Sequence, residues 1–140
     1  MPNNGLVSLQ SRVSARETLN RLLAALAKRK LTVFAHVDHA DGAASVGLPL
    51  RPTEVVIFGN PRGGTALMQD RQTAGIDLPL KSLVWEDVDG KAWFTYNDPA
   101  WMVRRHGLGA ASSVAVANAM AVLLSAIAQE ATQKCECARP

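Results

Sequence analysis

His36-Val37-Asp38-His39-Ala40-Asp41 is the densest run of groups able to move a proton or hold a polar ligand. An unperturbed imidazole titrates near neutrality and a neighbouring carboxylate can orient it, so the run suits a ligand site or an acid–base pair. On a continuing strand His36 and Asp38 share one face and His39 points to the other. Two imidazoles on one metal would need the strand to bend at Asp38, and nothing in the sequence demands that bend, so no metal is assigned. The plainer account is a strand end whose Asp38 or His39 holds loop backbone.

Gly59-Asn60-Pro61-Arg62-Gly63-Gly64-Thr65 is the second candidate. It follows a strand and opens a helix, where free N–H groups can hold an anion and Arg62 adds charge. It lacks the Lys-Ser/Thr ending of a P-loop and the spacing of a dinucleotide fingerprint. The ligand-binding set expected from the two segments is therefore His36, Asp38, His39, Asn60, Arg62, Gly63, Gly64 and Thr65. Catalytic residues and cofactors stay unassigned. Cys135-Glu136-Cys137 offers two thiolates, short of the four ligands a structural zinc takes, and Arg104-Arg105-His106 reads as cations closing a helix.

The elements that must position these groups follow from periodicity and caps. Val7, Leu9 and Val13 alternate with polar residues as in a half-buried strand. Ser14-Ala15-Arg16-Glu17 has the form of a capping box, and Leu19, Leu22, Leu23 and Leu26 give the next helix one apolar face to about Arg29. Strands are expected at Leu31–Asp38, Thr53–Phe58, Leu80–Val88 and Lys91–Tyr96. Asn60-Pro61 and Asp98-Pro99 each pair a cap with a first-turn proline, starting short helices to about Arg71 and Gly107. If Asp89-Gly90 is a two-residue hairpin loop, Trp85 falls opposite Phe94, with Tyr96 on the same face and Trp93 on the other.

Gly107 to Gln129 contains no charged residue, so it is long enough to cross a bilayer. Its Ala content and its scattered Ser and Asn favour a buried helix instead. Val116, Met120, Leu123 and Ile127 form one stripe, and Ala117, Ala121, Ala128 and Ala131 form another. Such a helix is expected to be covered on two sides, and a homodimer contact through it or through the sheet supplies the second cover.

Composition bounds the rest. The chain has 140 residues, 48% of them hydrophobic, which suits one domain with a sizeable core. Two cysteines exclude a disulfide framework. Residues 1–30 carry six basic groups against the single acid Glu17, whereas residues 31–97 carry five basic and eight acidic groups. The basic excess thus lies along one helix and lacks the interleaved aromatics of a nucleic-acid surface, so nucleic acid is not an expected partner. The first residues have neither a basic n-region nor an apolar h-region, and a cytoplasmic protein is expected.

Thr32-Val33-Phe34-Ala35-His36-Val37-Asp38-His39, Val56-Ile57-Phe58-Gly59-Asn60-Pro61, Gly64-Thr65-Ala66-Leu67-Met68 and Asp77-Leu78-Pro79-Leu80-Lys81 occur in this order, followed by Trp85-Glu86-Asp87 and Tyr96-Asn97-Asp98-Pro99. In these segments the chain resembles the bacterial and archaeal domain of unknown function 302 family, over roughly Val7 to Leu108. The resemblance implies an α+β domain with a curved, mainly antiparallel sheet and helices on one face, in a TATA-binding-protein-like layout. It supplies no catalytic residues. Residues 7–108 are accordingly expected to form the family-like domain, and 109–140 an Ala-rich helix with a short tail.

The functional expectation is a homodimeric module that binds a small molecule, anionic ones included. An enzyme using Asp38 and His39 is one alternative, and a structural or protein-interaction domain is another.

Overall fold

In a computed structural model, residues 4–133 are described. The element order is β1 (Leu6–Gln10), α1 (Ala15–Lys28), β2 (Thr32–Asp38), α2 (His39–Ser45), β3 (Thr53–Gly59), α3 (Pro61–Asp70), a 3-10 turn (Gln72–Asp77), β4 (Leu80–Glu86), β5 (Ala92–Asn97), α4 (Pro99–His106) and α5 (Ala111–Thr132). The five strands form one sheet in the order β1-β5-β4-β3-β2, with every neighbouring pair antiparallel. β1 and β2 are the two edges, so α1 must cross the whole sheet to connect them.

Local chemistry starts α1, α3 and α4, whereas Ala110 gives α5 no side-chain cap. Ser14 Oγ accepts the Glu17 N–H at 3.1 Å, while the Glu17 carboxylate turns outward to Arg21. Asn60 and Asp98 cap α3 and α4, each ahead of a proline, and Gly107 at φ 63° ends α4. The 3-10 turn has no counterpart among the expected elements. Its Ala74 is fully buried, so packing rather than periodicity holds it.

The core lies between the sheet and the layer of α1, α3, α4 and α5. Leu22, Leu26, Leu67, Leu124 and Ile127 meet Val56, Phe58, Val84 and Phe94, all at most 2% exposed. α5, set apart from the domain in the sequence expectation, therefore contributes to the same core through Leu124, Ile127, Ala128 and Ala131. It is long and apolar enough to cross a bilayer by length and composition, and 33% of its most apolar stretch is buried. Val114 and Val122 face outward, at 41% and 72% exposure.

The β4–β5 hairpin departs from expectation by one residue. The loop is Val88-Asp89-Gly90, with Gly90 at φ +78°, and the Asp87 N–H donates to Lys91 C=O. Trp85 consequently faces Trp93, and the rings stack 6.0 Å apart. Phe94 and Tyr96 occupy the opposite, core face. The cause is Asp87, whose carboxylate accepts the Asp89 and Lys91 N–H groups and Trp93 Nε1, all within 2.9 Å. A three-residue loop closed in this way outcompetes the tight two-residue turn, and one residue of register moves every side chain to the other face.

Candidate functional site

The turn from β3 into α3 borders a hollow of about 320 Å³. Gly59 and Leu80 contribute from the sheet, Asn60, Pro61, Gly64, Thr65 and Met68 from α3 and its cap, Gly75 from the 3-10 turn, and Leu78 and Pro79 from the approach to β4. Two distant residues complete it. Phe34 arrives because β2 shifts register between Val33 and Ala35, and Met120 arrives from the middle of α5. The glycines keep the space open. A Cβ on Gly59 would sit 3.7 Å from Pro79 Cβ, and one on Gly64 would sit 3.7 Å from Leu78 Cδ1.

The hollow is mostly apolar, and its polar groups are already engaged. Asn60 Oδ1 accepts the Arg62 N–H at 3.0 Å, and Asn60 C=O accepts the Gly63 N–H at 3.1 Å. Pro61 has no N–H to give. Thr65 Oγ1 donates to Pro61 C=O at 2.7 Å. Arg62 is exposed and does not line the space. What this arrangement offers is shape and apolar contact, with a polar rim from Asn60 and Thr65.

The His36–Asp41 run does not join that hollow; its members go to different places. His36 stands opposite Val56 on the helix side of the sheet, and its Nε2 lies 3.0 Å from Glu54 Oε1. Asp38 is the N-cap of α2, accepting the Asp41 N–H at 2.9 Å. His39 lines a second hollow, of about 230 Å³, on the opposite, open face of the sheet. Of the eight expected residues, Asn60, Gly64 and Thr65 meet in one hollow. Gly63 lies against α5, where a Cβ would be 3.3 Å from Met120 Cε.

Sequence reading missed one polar constellation. Thr73 Oγ1 lies 3.2 Å from His106 Nδ1, and His106 Nε2 hydrogen-bonds Asp77, which also pairs with Arg105. Hydroxyl, imidazole and carboxylate thus stand in the order of a nucleophile–base relay. A hollow beside Asp77 measures about 10 Å³, room for about one water. The cluster ties the 3-10 turn to α4. His106 was legible only as a helix-end cation, because its partners lie about thirty residues upstream. Among the described residues no three His, Cys, Asp or Glu side chains gather to hold a metal, and Cys135 and Cys137 lie outside those residues.

Two carboxylates show how the framework of the first hollow is held. Asp70, at the end of α3, accepts from Ser113 Oγ at 2.7 Å and from the Ala110 N–H at 3.0 Å, which lowers its pKa and ties α3 to the start of α5. At the far end of α5, the Arg29 hydrogen bond holds the Glu130 carboxyl below its ordinary range, fastening α5 to α1.

An open five-stranded antiparallel sheet, four helices on one face and a glycine-lined apolar hollow define an α+β domain. The chain belongs to the family described as domain of unknown function DUF302, whose model matches residues 7–130 and so includes most of α5. The crystal structure of an uncharacterized conserved DUF302 protein from Bacillus stearothermophilus is similar, with a TM-score of 0.79. It covers 91% of this chain and 98% of that one at 17% identity, a likeness of fold alone. Two curated relatives are named fluoride-specific ion channel FluC 1, from Brucella suis biovar 1 and Brucella abortus biovar 1. Each is 52% identical over 114 residues, which is 81% of this chain but 45% and 42% of those proteins. The chain thus spans less than half the length of the curated relatives it matches.

Proposed function

We propose that the chain is a binding module for a small, mainly apolar molecule, acting as a homodimer in the cytoplasm. The observation that carries this is the 320 Å³ hollow at the start of α3, with Phe34, Leu78 and Met120 around the glycines. Its size falls within the range that encloses small ligands. An anionic group on the ligand would extend toward Arg62, because the amides of the α3 cap are already engaged. The dimer reading is supported by the uncharged outer side of α5, where Val122 is exposed. The enzymatic alternative finds less support, since Asp38 is occupied as a cap and His39 faces away from this hollow.

The test is a thermal-shift screen of the full chain against neutral and anionic apolar compounds, with binding sites mapped by amide chemical shifts. Hits should move Gly59 to Thr65 and Met120. Gly64→Leu, which fills the hollow, should remove the response while circular dichroism stays unchanged. Arg62→Ala should weaken only anionic hits. A response equal in Gly64→Leu and the parent would reject the proposal.

A second reading draws on the curated relatives, in which a segment resembling this chain belongs to proteins named fluoride channels. It makes the domain a companion of a membrane channel, with fluoride as a ligand to be tried. Sodium fluoride should then shift amides beyond what sodium chloride does at equal ionic strength. Identical responses to the two salts would reject the ion-binding form of this reading.

A further inference from the structure

The sheet face turned away from the helices carries Leu6 and Ser8 from β1, Thr95 and Asn97 from β5, Leu83 and Trp85 from β4, and Val55 and Ile57 from β3. Lys81 is the one ionisable strand residue on that face, and it stands on β4, the central strand. It is half-buried, and among the described residues its ammonium group takes part in no ion pair and no side-chain hydrogen bond. Its stem lies beside Ile57 and Leu83, and no carboxylate pairs with its ammonium, although Asp77 and Asp98 border a small neighbouring hollow with it. Proteins usually place such a lysine at an edge, or give it an acid.

Lys81 also borders a hollow. The space of about 230 Å³ is lined by Lys81, His39, Thr95 and Asn97 among apolar walls from Leu6, Val55 and Leu83. His39 comes from the start of α2, on the far side of the strand pairings that carry the other residues. The Thr95 hydroxyl is held from two sides, accepting from Trp85 Nε1 at 2.9 Å and sharing a hydrogen bond with the Ser8 hydroxyl at 2.8 Å. The hollow therefore combines one unpaired cation, an imidazole, an amide and a fixed hydroxyl with an apolar floor.

The geometry points to a second ligand site here, for a small carboxylate with an apolar body. The carboxylate pairs with Lys81 and accepts from Asn97 or His39, and the apolar part lies on Val55 and Leu83. This site is separate from the hollow at α3 in position and in chemistry. A bare anion would leave the apolar walls unused, and a neutral apolar compound would leave Lys81 unpaired.

Sodium benzoate is a suitable probe, titrated into the full-length chain and followed by amide chemical shifts and calorimetry. Saturable shifts are expected at His39, Lys81, Leu83, Thr95 and Asn97. Lys81→Met keeps the apolar stem and removes the charge, so it should weaken benzoate at least tenfold, and Lys81→Arg should restore most of the binding. Equal affinity in Lys81→Met and the parent would overturn the assignment, as would the same shifts with sodium chloride. Benzoate shifts at Gly59 to Thr65 and Met120 would overturn it as well, and would locate the ligand in the α3 hollow. If these face residues instead shift with protein concentration alone, a second copy covers the face and the site does not exist.

Discussion

Ser82 is the discordant residue of the core. It is fully buried opposite Val56 and Tyr96, and its hydroxyl has no hydrogen-bond partner among the described residues. Burying an unmatched hydroxyl costs about 1–3 kcal/mol, so Ser82→Ala should be neutral or stabilising by up to about 1 kcal/mol in urea denaturation. Asp70 is the converse case, a carboxylate whose hydrogen bonds from Ser113 and Ala110 lower its pKa below the ordinary 3.8. A lowered folded pKa gives stability that is present above 3.8 and lost as the pH falls through the folded value. The melting temperature of Asp70→Asn should therefore lie below that of the parent at neutral pH, and the gap should close in acid. Neither role was legible in the sequence. Asp70 is an unremarkable last residue of a helix until Ser113 is brought beside it.

At the scale of elements, whatever is local was legible. Ser14, Asn60-Pro61, Asp98-Pro99 and Gly107 each act within a turn of their own position, and the helices start or stop there. The hairpin was misjudged because Asp89-Gly90 is a good turn pair, but Asp87 reaches forward to Trp93 and sets a longer loop. Asp87→Ala should loosen that loop, lower the melting temperature and alter the near-ultraviolet signal of the stacked Trp85 and Trp93. Gly5 presents a similar long-range constraint. It sits at φ +81° under the ring of Trp101, where a Cβ would lie 2.5 Å from the indole. Gly5→Ala must strain the backbone and displace Trp101, which in turn lies beneath the Arg105 guanidinium. A fall in melting temperature, with altered tryptophan fluorescence, is the expected outcome.

For the whole molecule, the sheet and its helical layer were readable, but the sites were only half so. Asn60, Gly64 and Thr65 could be grouped from the sequence because they are nearly contiguous, whereas Phe34, Leu78 and Met120 approach them only through the fold. Lys81 carried no signal at all. Its neighbours alternate as any strand does, and only the sheet order makes it the one ionisable strand residue on that face among the described residues. α5 was recognised as a helix in need of cover, and its inner side receives that cover from α1, α3 and α4. On the homodimer proposal its outer side meets a second copy, so Val122→Glu should halve the mass measured by light scattering. A parent that is already monomeric at high concentration would reject that arrangement.

The register shift that pushes Phe34 toward the first hollow also changes what β2 offers to other molecules. β2 is an edge strand, and a straight edge of unpaired amides and carbonyls invites another chain to continue the sheet. An interruption between Val33 and Ala35 breaks the regular spacing that such an added strand would need. The same irregularity that helps to shape a binding hollow therefore guards a strand rich in Val and Phe against self-association into fibrils.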